Sequence, residues 1–564
     1  MHTNHFVKYL EQYNVMSPNH SKIYDEYSDG ASQYNFTIPT KIEAYLLGIF
    51  NNGPHSVIMS GNAGDGKTKL SRVVHDHFTG SFLDNWPTEG IIEVPFSNGR
   101  IRIVKDLSEL KENVILQELT HLQSYIENNH YEKIYYLIAA NEGKLTKFLS
   151  QYESLKSLSK WVADRFLSND KNDNSLTLIN LQDVTSSTYV ERILEEWNQE
   201  ENWETCLECS KNRQCIIFLN HNHTSKKEVH KRLVEQYRIL DYSGVHITMR
   251  ELLIHLSYTI TGGLACEEIF KADFKEIEHQ ANKAYYENFY GHSIPSEAMN
   301  EMGALQNLKP LDPGNFSHSL IDDFILNGDI SGDEELEADH SQLFNNELDM
   351  LFGYFKKQLE IYRSHDANID NSLVEVWMPR LRRKYFFETL SNNEKLRLHL
   401  VPFDYYREFN MLFNNKALQS SIKKELISGL NRAFSKKLVA NSGTAQLFAT
   451  TENLLIHQTF LHNHITLTSE RQREDIDHLP SKFKISVSNQ AYIEMGLTLF
   501  EYLMRLANGG MFTTLKQEVE ILINTFKNDL IKISVRDEYT LSVLKLNTNE
   551  GTYSNYEITI CDNE

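Results

Sequence analysis

The sequence predicts an α/β protein with a parallel sheet, and three observations carry that expectation. An apolar run at 57–59 ends in a glycine-rich segment and passes into a helical pattern over 67–78, a strand, loop and helix in succession. Further apolar runs follow at 91–94, 101–104, 134–140 and 176–181. Between them lie helical stretches, such as the one with Ile115, Leu119, Leu122 and Ile126 on one face. Strands alternating with helices over this length imply βαβ units and a sheet covered on both sides.

The chain's 564 residues exceed what one hydrophobic core holds, and a length of roughly 100–200 residues per domain implies three or four units. Apolar residues at 41% and charged residues at 24% are ordinary for a soluble globular protein and exclude a disordered chain. No run reaches about 18 apolar residues, so no membrane span is expected. The first residues lack the basic-then-apolar pattern of a secretory signal, which predicts a cytoplasmic protein. Lys and Arg number 56 against 77 Asp and Glu, a net charge of −21. That balance argues against coating nucleic acid by charge alone, because phosphate neutralisation needs clustered cations.

Residues 1–45 read as a lead-in that carries little chemistry, and 46–225 as the α/β core. A helical lid is expected over 226–291, where Met249, Leu253, Leu256 and Ile260 share a face that stops at Gly262 and Gly263. Residues 292–345, with Pro295, Pro310, Pro313 and an acidic run at 333–337, read as an acidic solvated linker. A helical domain over 346–435 and an α+β domain over 436–564 complete the expectation. Within the last, one helix is expected to align Ile493, Leu497, Phe500 and Met504, and another Leu515, Val519, Leu522 and Phe526. Strands are expected near 465–467, 485–487, 541–546 and 556–560.

The loop Gly61, Asn62, Ala63, Gly64, Asp65, Gly66, Lys67, Thr68 fits G-x-x-x-x-G-K-[ST] without departure, in the strand-to-helix setting the chemistry requires. Its backbone N–H groups and the helix N-terminus suit phosphates, here those of ATP. Lys67 would reach the β- and γ-phosphates, and the Thr68 hydroxyl would bind Mg²⁺. Asp106, after the run at 101–104, supplies the acidic partner for the metal, or else it caps the turn that follows. Glu109 and Glu142 are both candidates for the general base, since Leu107 stands directly after Asp106. Asn141, at the tip of the 134–140 strand, would hold the attacking water or the γ-phosphate; a turn-forming asparagine before Gly143 is the alternative. Arg250 opens the lid helix and could sense the γ-phosphate, with a surface arginine nearly as plausible.

Cys206 and Cys209 form a C-x-x-C pair, Cys215 follows from an expected returning strand, and Cys266 stands further on. In a chain whose thiols stay reduced this spacing suits a structural zinc ion, with Cys266 favoured over His221 or His223 as fourth ligand. Unmetallated thiols are the alternative. A nuclease reading of the 220–223 segment lacks separated metal carboxylates. The segment 377–384, with Arg380, Arg383 and Lys384 beside Trp377 and Tyr385, is the densest basic stretch. It could track a nucleic-acid backbone, insert an arginine into a neighbouring subunit's site in an oligomer, or form one charged helix face.

The succession of phosphate loop, Asp106, Ala-Ala-Asn141-Glu-Gly and a helix opening Thr248-Met-Arg250 resembles an AAA+-type ATPase core. With Asp106-Leu-Ser-Glu109, the cysteine cluster and Ile260-Thr-Gly-Gly it resembles more narrowly the DptF family, the ATPase component of DNA-phosphorothioation-dependent restriction. The resemblance covers 55–270 and weakly reaches 501–509. It implies a motor or switch in host defence that acts, with partner proteins DptG and DptH, on DNA lacking the sulfur modification. DNA would be engaged through those partners. A nucleotide-gated scaffold with slow hydrolysis is the second expectation, and small-molecule phosphotransfer is disfavoured for want of an acceptor site.

Overall fold

The computed structural model describes residues 3–17, 36–83, 85–128, 132–292, 294–344, 348, 352–364, 373–440, 445–451, 453, 455–512, 517–534 and 539–560. The chain forms two compact units. One comprises Met1–Arg238, His246–Glu394 and Arg473–Leu479; the other comprises Ile239–Val245, Lys395–Gln472 and Pro480–Glu564.

The first unit is built on five strands: β1 (Ser56–Ser60), β2 (Ile91–Phe96), β3 (Gly99–Val104), β4 (Ile134–Ala140) and β5 (Leu176–Asn180). Their order across the sheet is β2-β3-β4-β1-β5. β1 pairs in parallel with both β4 and β5, and β3 pairs in parallel with β4. The expected parallel sheet therefore holds for four strands. β2 departs from it: β2 and β3 form an antiparallel hairpin at the edge, turned by the two residues Ser97 and Asn98. Two residues cannot hold the crossover that parallel neighbours need.

Central strands have both faces covered, which explains why β1 is buried along its whole length and reads as a continuous apolar run. Ile58 is in register with Ile138 and Leu178, so the three share one face. They pack with Leu119 and Leu122 of α1 (Glu112–Glu127), Leu149 of α2 (Glu142–Gln151) and Leu158 of α3 (Lys156–Leu167). The helix that follows the glycine-rich loop, Lys67–Thr79, packs on β2 and β4, with Phe78 edge-on to Phe96.

Residues 292–345 correct the expectation of a solvated linker. They carry helices at Gly303–Leu308, Ser319–Asn327 and Glu334–Phe344, and Leu305, Leu308, Ile321, Ile325 and Phe344 are buried. The acidic run lies on the exposed first turn of the last of these helices.

The second unit is α+β. Its long helix Lys416–Ser435 meets Leu497–Ala507 so closely that a Cβ at Gly429 would stand 2.2 Å from the Leu503 carbonyl oxygen. Three antiparallel strands, Ile465–Ser469, Phe483–Val487 and Ala491–Met495, form one sheet. Thr540–Asn547 and Thr552–Thr559 form a second, close to the expected strands. The hairpin Leu447–Thr450 with His457–Phe460 was not expected. Ile493 belongs to a strand, and the helix begins at Leu497 after Gly496. In Gln517–Ile533 the buried face is Ile523, Phe526 and Leu530: Phe526 is buried as expected, whereas Val519 is half-buried and Leu522 is exposed. Leu515 lies outside the described residues.

Candidate functional site

β1 ends at Ser60, and the chain turns through residues 61–66 before the helix at Lys67–Thr79 begins. Gly64 and Gly66 take φ of +97° and +87°, the left-handed region that glycine enters without a Cβ penalty. At Gly64 space matters as well, because a Cβ would stand 3.0 Å from Arg250 Cβ and 3.1 Å from Thr248 Oγ1. The Arg250 amide donates to the Gly64 carbonyl at 3.2 Å. The first turn of the helix Met249–Thr261 thus rests on the loop, and a capping box, in which Thr248 and Glu251 satisfy each other's backbone N–H groups, fixes that turn.

Inside the loop, the buried Lys67 ammonium donates to the carbonyls of Gly61 at 2.9 Å and Asn62 at 2.7 Å. Burial lowers its pKa, opposed by the charges of Asp106 and then Asp65, while Arg250 lowers it further. Lys67, Asp106, Asp65 and Arg250 therefore share one electrostatic neighbourhood, although Arg250 is 183 positions from Lys67 in the chain. Asp65 closes the loop on itself: one oxygen accepts from the Asn62 amide at 2.6 Å and the other meets His246 Nε2 at 2.8 Å.

The strand register sets the remaining residues. Ser60 pairs with Ala140, and the Gly61 amide donates to the Ala140 carbonyl at 3.2 Å, so Asn141 follows directly beside the start of the loop. Asp106 comes two residues after Val104, which pairs with Ile138. Both also cap: Asp106 Oδ1 accepts from the Ser108 amide at 2.7 Å, and Asn141 Oδ1 accepts from the Lys144 amide at 3.3 Å. Capping uses one acceptor atom of each side chain and is compatible with a second role. Glu109 is exposed and pairs with Lys105 at 3.1 Å. Glu142 sits in the first turn of α2.

Next to the loop lies a cavity of about 220 Å³, lined mainly by apolar groups that include Phe36, Ile38, Leu70, Tyr189, Met249 and Leu253. Asp65, Gly66 and Lys69 border it. Tyr9 and Tyr13 line it too, so the segment expected to be an uninformative lead-in contributes a wall. Met249 and Leu253 were visible as a helix face. Phe36, Ile38, His246 and Tyr189 carried no local signal, since only the fold brings them to the loop.

A second cavity, of about 30 Å³, gathers Cys206, Cys209, Cys215 and Cys266. Burial pushes the Cys206 thiol up to about 11 and the Cys215 thiol up to about 12. Cys215 caps the helix Ile216–Thr224 and does not lie on a strand. Among the described residues, no group of three or more His, Cys, Asp or Glu stands in an arrangement that could hold a metal as placed. His221 is committed elsewhere, stacked on Trp203 with ring centroids 4.2 Å apart and bonded to Asn198. His223 pairs with Glu388 at 3.0 Å. Asn220 donates to the carbonyls of Ile260 and Lys283 and accepts from the Tyr285 amide, a packing role.

The basic segment is turned inward. Arg383 donates to Asp312 and Glu287, Arg382 to Asp322 and Lys384 to Glu388, and Arg380, Arg383 and Lys384 are buried. Arg382 and Arg383 tie the helix Met378–Glu388 to Asp322 and Asp312, Arg380 reaches Ala281 and Asn282, and Lys384 pairs within the helix, so these cations do not form the single exposed charged face expected of them.

Comparison with protein-family models, with curated proteins and with solved structures found no match for the chain. Among the described residues, no helix is long and apolar enough to cross a membrane.

Proposed function

We propose that the chain is a Mg²⁺-dependent ATPase whose centre lies at the carboxyl ends of β1, β3 and β4. The observation that carries the reading is the convergence of the 61–68 loop, Asp106, Asn141 and the first turn of Met249–Thr261 on that one edge. Ligands of open parallel sheets bind at this edge. Loop amides and the N-terminus of the 13-residue helix behind them favour a polyphosphate. The adjacent cavity is wide and apolar enough for a nucleobase beside it.

The donors fit a hard cation, because Thr68 and Asp106 offer oxygen alone. Mg²⁺ held by them would neutralise charge developing on the transferred phosphoryl group. Lys67 would exchange its two loop carbonyls for phosphate oxygens, Asn141 would orient water, and Arg250 would couple the helix it opens to the nucleotide. Either Glu109 or Glu142 would serve as base.

Through its resemblance to the DptF family, we assign this ATPase to a multiprotein restriction complex. It would act with DptG- and DptH-like partners, in the cytoplasm, on DNA lacking phosphorothioate. A nucleotide-gated scaffold with slow turnover is the second reading. It is favoured by the self-contained loop, where Lys67 sits on its own carbonyls and Asp65 is latched by His246.

Calorimetric titration of the full chain with ATP and Mg²⁺ tests the site. Binding is expected, and Lys67→Ala should weaken it by about 10²-fold, the scale of losing one charge-assisted contact to phosphate in a partly buried site. Equal affinity in the two proteins would remove the loop from the account.

A further inference from the structure

We propose that Cys206, Cys209, Cys215 and Cys266 bind one structural zinc ion, at a site separate from the nucleotide centre and independent of its function. Three short elements bring four thiols to one small cavity: Glu204–Leu207 and the turn after it, the cap of Ile216–Thr224, and, about fifty residues further along the chain, the start of Cys266–Lys271. Unpaired thiols gain little by such gathering, because each is a weak donor and a weak acceptor. Four thiolates around one Zn²⁺ satisfy all of them together in a closed tetrahedron.

The surroundings suit the charge of that centre. Binding is written Zn²⁺ + 4 RSH → Zn(SR)₄²⁻ + 4 H⁺, and the product carries two negative charges that need donors. Asn4 Nδ2 donates to Cys206 Sγ at 3.2 Å, and the Asn4 amide donates to the Cys266 sulfur. The amides of Ile217 and Phe218, in the first turn of a nine-residue helix, donate to the Cys215 sulfur, and Lys211 borders the cavity. N–H groups directed at ligand sulfurs are the outer shell that thiolate sites use. The thiols line the cavity without yet forming a ligand set. Closure on the ion would bring the four sulfurs together by changes of cysteine rotamer, and Leu207 between the first two cysteines is 65% exposed.

The site would fasten Cys266–Lys271 to the 204–224 segment, with the N-terminal helix capped over it by Asn4. Its ion would be structural, because four protein ligands leave no position for substrate.

Metal analysis of the full chain, purified without chelator, is expected to give about one zinc per chain. Cys206→Ser and Cys266→Ser should each lose it, while Cys561→Ser, outside the quartet, should keep it. Less than about one-tenth of a zinc per chain, or full zinc in Cys206→Ser, would overturn the proposal. Titration of the native wild-type chain with a mercurial, read with a zinc indicator, decides the matter if the variants do not fold. About one zinc should appear as four thiols react. Four thiols reacting with no zinc released would count against the site.

Discussion

His255 shows how a single side chain ties stability to pH. It is fully buried on the helix Met249–Thr261, where Nε2–H donates to the Phe289 carbonyl at 2.9 Å and Nδ1 accepts from the Tyr237 hydroxyl. Both ring nitrogens are used by the neutral tautomer, and burial holds the pKa down at about 4 against an ordinary 6.5. The unfolded chain therefore takes up this proton at higher pH than the folded one, and stability falls as pH drops from 6.5 towards 4. At pH 5 the loss from this residue comes to about 2 kcal/mol. Urea unfolding of the wild type at pH 7.5 and pH 5.0, beside His255→Gln, measures it: the variant should show a smaller acid loss by about that amount. Equal acid losses would mean that His255 is not held neutral. Nothing in the sequence around His255 announced this role, because its partners lie 18 and 34 residues away. That Lys67 and Asp106 stand in one electrostatic neighbourhood could be expected for the opposite reason: the pattern that singles them out is written into contiguous residues and one strand end.

Secondary-structure elements were legible where their burial was one-sided or complete, and illegible where ionic contacts did the packing. β1 and β4 matched their patterns because a continuous apolar run reports a strand covered on both faces, whereas the helix Met249–Thr261 formed where expected but is buried all round from Ile254 to Thr261, with Met249 and Leu253 of the expected face only half-buried. The 292–345 region misled because prolines and acidic residues read as solvated chain. Here Pro310 and Pro313 open short 3₁₀ turns, and Asp312 is buried against Arg383 and His292. Arg383 Nη1 reaches Glu287 at 2.8 Å, and its Nε reaches Asp312 at 2.8 Å. A Cβ at Gly314 would meet Arg383 Nη2 at 2.8 Å, so the turn is folded tightly around the guanidinium. Removing one partner from a buried ionic cluster leaves the others desolvated and uncompensated. Arg383→Met should therefore cost about 3 kcal/mol of stability, read as a lowered urea midpoint with unchanged slope. A variant as stable as the wild type would show that this cluster does not anchor the segment.

At the scale of the whole chain, the parallel core was expected from alternating strands and helices, whereas the division into two units was not. Residues 473–479 return to the first unit from within the second, and 239–245 belong to the second although the helix that enters them begins in the first. Interleaving of this kind leaves no composition shift for a boundary to follow. The proposed function places one ATP-hydrolysing centre at the tips of β1, β3 and β4. Phosphate release from Mg²⁺-ATP by the full chain, compared between the wild type and Asp106→Asn, tests it most directly. Asparagine keeps an oxygen to accept from the Ser108 amide, so the cap survives while the charge that would hold the metal is lost. Turnover is expected in the wild type, with a drop of about 10²-fold or more in Asp106→Asn. Equal rates would contradict it and leave Asp106 as a turn cap alone.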